Sequence, residues 1–499
     1  MIQYLITSTY LVVLSYIGFY LLKKQFPHRQ NLINVQATTW YVLIITAFLS
    51  QNYWIFVFFS TAFLTINIRK QQIDVALPVF IISLLALPTL SKEIPGIGSI
   101  RYLLELNWPR IVVFLIPFLL YFRYRNLSGH PSKTNTDRLV LFFSIYVSLL
   151  AYRETSFTEG SRHVIYTFLQ IYIPYIAISR LATDITTIDS MLIAILSASV
   201  IMSIIAVYET ITGWHPYAQL IYSLETKISP LTAYKYRSGF LRAYAAHGSI
   251  PLGIYITIAY AALLYLQQAY KPHIPVWIVH FLLGAGLIVT FSRGPWVGFF
   301  ILIMLYYLFS INKTRFIPYI FIGIIASYLT VNFTEFGQRL FQLLPFIGTD
   351  EEGNISYRQR LLTTSIKVIN QHPLFGTKNV LEHPDMQTLI QGEGIIDVVN
   401  TYLQIALQYG YIGLFLFIAI YLTLIKKLFT ARRFYKFKND TQNITLSTIF
   451  IAGVMSTMFM IGTVGILTDP TITIYIFSYL GLISAYLRTA RNGHSHENT

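Results

Sequence analysis

The chain contains no cysteine. Disulfides, thiol nucleophiles and thiolate metal sites are therefore excluded. Charge is also scarce: 11% of the 499 residues are Asp, Glu, Lys or Arg, where a soluble domain carries about 25%. The sequence has no glycine-rich phosphate loop, no zinc-ligand spacing and no Asp-x-Asp or Glu-x-Asp pair in its early loops. His494 and His496 near the C-terminus have no further histidine or cysteine close by in sequence. The expectation is an activity without metal or cofactor. Acids inside the apolar stretches are few, and neither inverted repeats nor paired broken helices stand out. Both observations weigh against a proton-coupled solute transporter, the alternative from a different class.

What is abundant is apolar surface, with 55% hydrophobic and 16% aromatic residues. Apolar runs of roughly 16–24 residues recur along the chain, which is the length a helix needs to cross a bilayer. Barrel strands would instead alternate over about ten residues. The fold class is therefore all-α, a polytopic transmembrane bundle of about fourteen helices. Helices are expected at 2–22, 35–50, 53–68, 75–90, 109–122, 139–152, 163–179, 189–211, 249–268, 275–291, 295–311, 316–333, 402–425, 444–467 and 471–487. Several early ones are short. The run at 2–22 lacks a basic lead and a small-residue cleavage site, so it reads as a retained helix.

The net charge of +15 falls largely in short loops. Lys23, Lys24, Arg29, Arg69, Lys70, Arg123, Arg125, Lys133, Arg138, Lys313, Arg315, Lys426, Lys427, Arg432, Arg433, Lys436, Lys438, Arg488 and Arg491 all follow every second run. That alternation places them on the cytoplasmic side, beside anionic lipid. No nucleic-acid motif accompanies them, and nucleic acid is not an expected partner. The chain divides into transmembrane helices with outward arginine loops (1–333), a long extracytoplasmic loop (334–401) and C-terminal helices with a short cytoplasmic tail (402–499). Within the long loop, Leu361, Leu362, Ser365, Ile366 and Ile369 recur at helical spacing, with Arg358, Arg360 and Lys367 on a more polar face. This predicts an amphipathic helix lying at the interface.

The opposite side carries Arg237, Arg242, Arg293, Arg358 and Arg360. A guanidinium offers a rigid fork of donors that fits phosphate oxygens two at a time. Arg293 sits in a turn between two apolar runs, where a charge is costly unless it is used. A single arginine elsewhere can equally snorkel to lipid phosphate or pair with an acid. His247, just before an apolar run, reads either as a general base or phosphate donor or as a cap that positions the loop. His372 precedes Pro373 and reads as structural. His383, Glu393 and Asp397 lead toward the helix at 402. Asp397 stands three residues before Asn400, so an early helix start would give them one face. Such a carboxylate could take a proton from a sugar hydroxyl, or it could be a solvated loop charge.

Ser292-Arg293-Gly294, Ser356-x-Arg358 with His372-Pro373-Leu374-Phe375-Gly376, and Asn400-Thr401-Tyr402-Leu403 with Gly410-Tyr411-Ile412-Gly413 occur in this order. So arranged, with Arg242 and His247 upstream, they resemble the O-antigen ligase and polymerase superfamily over roughly residues 230–425. The resemblance implies a metal-independent membrane glycosyltransferase. It would act on polyprenyl-pyrophosphate-linked glycans at the outer face of the inner membrane. Arg293, Arg358, Asp397 and His247 would be catalytic, and Arg242, Arg237, Arg360 and Asn400 would bind substrate. The implied partners are the lipid-linked donor and acceptor glycans, membrane lipids and other envelope polysaccharide assembly proteins. In the ligases a histidine precedes the asparagine; here that position is Val399. This departure favours a polymerase over a ligase acting on lipid A core.

Overall fold

Long apolar helices dominate the computed structural model, which describes residues 2–98, 100–124, 134–153, 155–227, 230–237, 239–270, 275–310, 352–390 and 394–495, together with 328, 332 and 334. The helix expected at 316–333, Glu393, and the basic residues Arg125, Lys133, Lys313 and Arg315 lie outside the described residues. So does His496.

The helices run α1 (Ile2–Gln25), α2 (Gln30–Ser50), α3 (Tyr53–Lys70) and α4 (Ile73–Leu85). After a hairpin come α5 (Trp108–Tyr124), α6 (Asn135–Leu150), α7 (Phe157–Thr167), α8 (Ile173–Leu181), α9 (Ile185–Thr212) and the short α10 (Ala218–Ser223). Then follow α11 (Ser249–Ala269), α12 (Trp277–Ile288), α13 (Arg293–Phe309), α14 (Glu352–Gln371), the one-turn α15 (Pro384–Gln387), α16 (Thr401–Phe437), α17 (Thr441–Ile461) and α18 (Pro470–Ser495). Among the described residues, eight helical spans are long and apolar enough to cross a membrane, and α4, α12 and α13 are shorter apolar helices. The chain is a multi-pass membrane protein of the expected all-α class.

Burial separates the centre of the bundle from its rim. In α9, 89% of the most apolar window is buried, whereas α16 reaches 33% and α1 39%. A helix apolar on every side belongs at the core, and α9 packs against α1, α4, α11 and α12. Polar caps mark where helices begin. Asn52 accepts from the Trp54 and Ile55 N–H groups, and Thr134 with Asp137 forms a reciprocal capping box. Each cap satisfies orphan donors of a first turn.

Side-chain contacts define two ends. At the basic end Arg123 donates to the Ile68 and Arg69 carbonyls, Arg29 to Tyr270, Lys427 to Thr136, and Arg488 to Asp137. Arg29 after α1, Arg123 in α5, Lys427 in α16 and Arg488 in α18 are thereby fixed at this end. At the other, the loop end, Tyr53 donates to the Leu106 carbonyl and Thr89 bonds Thr471.

Two features depart from an uninterrupted set of helices. The segment after α4 folds into an antiparallel hairpin, β1 (Ser91–Pro95) with β2 (Tyr102–Asn107), and a second, smaller hairpin pairs β3 (Tyr236–Arg237) with β4 (Phe240–Leu241). Glycine and polar residues make these stretches too short and wet to span. In the first hairpin Glu93 lies directly across from Glu105, a repulsive pair. Lys227 relieves it, with Nζ 3.0 and 3.1 Å from the two carboxylates. The run expected at 163–179 is also not one regular helix: a π turn at Phe168–Tyr172 joins α7 to α8.

Candidate functional site

The loop end brings the N-termini of α11, α13 and α16 together with the outer loops. The turn from α12 into α13 is tight. Phe291 adopts a positive φ of 46°, and Ser292 ends the turn just ahead of Arg293, the first residue of α13. Gly294 is required by close approach: a Cβ there would lie 2.9 Å from Thr463 Cβ, in the linker after α17. Pro295 packs on Gly253 of α11, where a Cβ would meet it at 2.5 Å. The Ser-Arg-Gly-Pro string thus fits a turn wedged between two helices, with its arginine at a helix start.

Arg242 ties this turn to α11. Its Nη2 donates to Ser249 Oγ at 2.7 Å and to Ser292 Oγ at 2.9 Å, and Nε reaches the Thr290 carbonyl at 3.4 Å. Burial lowers its pKa. One guanidinium therefore bridges the positive ends of two helix dipoles, which is unfavourable unless an anion joins them. Arg237 donates to the Phe291 carbonyl at 3.0 Å. Burial, and then the adjacent Arg242, Arg293 and Arg358 charges, pull its pKa down to about 10. Those four guanidiniums, drawn from a hairpin, a loop, a helix start and the long-loop helix, share one electrostatic neighbourhood.

α14 carries Arg358 into that neighbourhood. Tyr357, Leu361, Val368 and Ile369 form its buried stripe against α15, Val380, Ala406 and Leu407. Leu362 and Ile366 remain exposed, so the helix is amphipathic as expected, with a second apolar strip facing outward. The Tyr357 hydroxyl donates to the Asp397 carbonyl at 3.0 Å and accepts from its N–H at 3.2 Å. Arg358 and Asp397 are held near each other by this clamp. Asp397 is exposed; the protein packed around it raises its pKa, with Lys235 and Arg358 pulling the other way. Arg360 lies two residues on, about 200° around the helix, and is exposed away from Arg358.

Asn400 caps α16, its Oδ1 accepting from Tyr402 N–H at 2.9 Å and Leu403 N–H at 3.1 Å. The cap leaves its carboxamide NH₂ as the end able to donate to a ligand. Val399 stands beside it, with its N–H on the Asp397 carbonyl. His247 is buried, and its Nε2 donates to the Leu85 carbonyl at 3.0 Å. Burial lowers its pKa to about 4, so the ring is neutral and fastens the start of α11 to the end of α4.

Several residues essential to this geometry carried no signal in the sequence. Glu209, near the end of α9, accepts the Tyr244 and Ala245 N–H groups at 2.8 Å each. It lies 3.3 Å from His215 Nδ1, and that ring stacks on Tyr244 at 4.6 Å. This buried clamp shapes the loop that presents Arg242. The His-Pro-Leu-Phe-Gly string is structural too. α16 breaks at Gly410 (φ 66°, ψ −172°), and the string lies against the break. Thr377 N–H takes the Leu407 carbonyl at 2.9 Å, and Tyr411 N–H donates to the Pro373 carbonyl at 2.7 Å. Arg153 donates to the Phe375, Gly376 and Gln408 carbonyls at 2.8, 2.8 and 2.9 Å. Tyr146 takes the Tyr409 carbonyl at 2.8 Å. Every group freed by the break in these contacts is satisfied by the loop or by its flank.

A search of curated proteins finds no match to this chain. A family model described as O-Antigen ligase matches residues 278–418, the stretch holding the Ser-Arg-Gly turn, α14, the Asn400 cap and the Gly410 break, and it places these residues in the O-antigen ligase and polymerase superfamily.

Proposed function

We propose that the protein is a polysaccharide polymerase that joins polyprenyl-pyrophosphate-linked glycans at the outer face of the inner membrane. The observation that carries this reading is the convergence of Arg237, Arg242, Arg293 and Arg358 around two helix N-termini. A cluster of that sign suits a pyrophosphate, which gains charge as it leaves the anomeric carbon. Arg242 and Arg237 hold the ground-state anion, and Arg293 and Arg358 meet the charge that develops on departure. The acceptor hydroxyl loses its proton to Asp397, whose raised pKa makes it a better base than an ordinary carboxylate. The Asn400 NH₂ orients that hydroxyl, and His247 positions the loop. The C1–O bond to pyrophosphate breaks, the bond from acceptor oxygen to C1 forms, and the proton passes to Asp397. No metal is needed in this scheme, and the basic end of the bundle faces the cytoplasm.

A ligase acting on another acceptor is the second reading, supported by the family description of the matched domain. Val399 beside Asn400 favours the polymerase. The lipid-linked glycan that accumulates on removal of the protein separates the two. Single repeat units indicate a polymerase, full-length chains a ligase, and no accumulation of either overturns both.

A further inference from the structure

A polar cavity of about 280 Å³ lies at the loop end, between β2, α5, α6, α7, the π turn and the α17–α18 linker. It is distinct from the arginine cluster in both position and charge. Glu105 and Glu159 line it together with Arg110, Arg162 and His163, and Tyr102, Tyr166 and Tyr409 supply aromatic surface. The two carboxylates are balanced by the two guanidiniums, so the lining has no net positive charge with which to attract a pyrophosphate. A mixture of acceptors, donors and ring faces instead suits a neutral polyhydroxyl, with carboxylates accepting from hydroxyls and guanidinium and amide donating to ring or acyl oxygens.

The cavity is built around a fixed buried charge. Arg110 is 8% exposed. Its Nη1 donates to the Glu105 carbonyl at 2.9 Å, and its guanidinium lies 3.6 Å from the Tyr166 ring centre. With the Gln170 carboxamide turned to accept, Arg110 Nη2 and Nε reach its oxygen at 2.8 and 2.9 Å. Gln170 sits in the π turn at Phe168–Tyr172. Such a turn inserts one residue, re-aims a helix face and is frequent at functional sites. Here it places Gln170 and Ile171 on the cavity wall.

The cavity also joins the proposed active site through the α17–α18 linker. The Val464 carbonyl and Ile466 N–H bond Thr401, next to the Asn400 cap, and Leu467, Thr468 and Pro470 continue into the cavity wall. Tyr409, also in the wall, lies nine residues beyond Asn400, about 13 Å along α16. A sugar in the cavity is therefore not the one bonded to the pyrophosphate. The volume falls just under the roughly 300–1,000 Å³ that holds a drug-sized ligand, which fits a single sugar unit and not a chain.

We propose that this cavity binds one monosaccharide unit of a glycan, remote from the reacting bond, and so helps to choose the repeat that is joined. The role in joining rests on the transferase reading; the binding does not. The probe is the free repeat-unit oligosaccharide released by mild acid from the lipid-linked glycan of the protein's own cells. It is titrated by saturation-transfer NMR into the full chain in lipid nanodiscs. The wild type is expected to bind. Glu159→Gln combined with His163→Ala changes half-exposed wall residues and should bind about tenfold more weakly with an unchanged melting temperature. Gln170→Ala is the second variant, should the first unfold.

In glycan-joining assays the same variants should raise KM for one lipid-linked substrate while kcat holds. A change confined to acceptor concentration assigns the sugar to the acceptor, and one confined to donor concentration assigns it to the donor. Equal binding by folded variants and wild type, or no binding by the wild type, overturns the proposal. If the wild type joins no glycan yet loses oligosaccharide binding on cavity substitution, the cavity stands and the transferase reading falls.

Discussion

Gly376 and Gly410 stand face to face: a Cβ on Gly376 would lie 2.7 Å from the Gly410 nitrogen, and one on Gly410 would lie 2.6 Å from the Phe375 nitrogen. Both residues have positive φ, 65° and 66°. The long loop can therefore seat against α16 only where α16 breaks, and only with glycine on both sides. The seat fixes the exit of α14, and α14 presents Arg358.

Gly410→Ala and Gly376→Ala are each expected to lower stability by roughly 2–4 kcal/mol, from left-handed strain and a backbone clash together. Gly394 also has a positive φ, of 72°, but open space around it. Gly394→Ala should cost only about 1–2 kcal/mol. Arg153→Ala leaves three carbonyls without their donor, at about 1–3 kcal/mol for each that water cannot reach. Thermal unfolding in detergent measures all four. A Gly410→Ala protein as stable as wild type would show that the loop does not seat on the break.

Arg293→Ala and Arg358→Ala should lower glycan joining while the protein still accumulates in the membrane. Loss of a charge-assisted phosphate contact costs roughly 1.5–3 kcal/mol, or about 10- to 150-fold, and more if the contact tightens in the transition state. Lysine should restore little, because an ammonium lacks the planar fork. Arg360→Ala, on the other side of α14, should fall within about twofold of wild type. The assay uses purified lipid-linked glycan. Undiminished turnover in either of the first two variants would remove that arginine from the site.

Sidedness follows from the basic end of the bundle. The loop between α16 and α17 contains Asn439 at a φ of 56° and adjoins Lys436 and Lys438. The chain has no native cysteine, so Asn439→Cys gives a single reporter. An impermeant maleimide should leave it unlabelled in intact cells and label it after lysis. Labelling in intact cells would put the arginine cluster on the cytoplasmic side.

The bundle was legible because apolar runs of membrane length and alternating basic loops are strong one-dimensional signals. Arg293 was legible for the same reason, as a lone charge between two such runs. The hairpin at Ser91–Asn107, the π turn at Phe168–Tyr172 and the break at Gly410 were not, because each is a local departure that only packing reveals. Glu209 and His215 gave no sign either. They lie at a helix end and in a loop, and their importance appears only when the Tyr244 and Ala245 N–H groups come to rest on the carboxylate. Arg153 is more than 220 residues from the carbonyls it satisfies, a pairing no spacing rule can foresee. The early helix start that would have given Asp397 and Asn400 one face does not occur: α16 begins at Thr401, and Asn400 is its extended cap.

The final prediction concerns the proton. Asp397 is exposed and faces Lys235 and Arg358, and its pKa is raised overall. A base works in its deprotonated form, so the chemical step should slow as pH falls through that raised value. The acid limb should therefore lie higher than an unperturbed aspartate would place it. Asp397→Asn should remove the limb and lower the single-turnover rate, with donor binding retained because the arginines remain. His247, at a pKa of about 4 and bonded to the Leu85 carbonyl, stays neutral throughout the working range. His247→Ala should therefore leave the limb in place and act instead through loop position, raising KM for the donor. Val399→Ala should change little, since an aliphatic side chain takes no proton. Single-turnover transfer by the three variants and by the Asp397→Asn, His247→Ala double variant, followed across pH, tests the scheme. If Asp397→Asn keeps the wild-type rate and limb, the carboxylate is not the base. Arginine-assisted departure of the pyrophosphate must then carry the reaction, with solvent taking the proton.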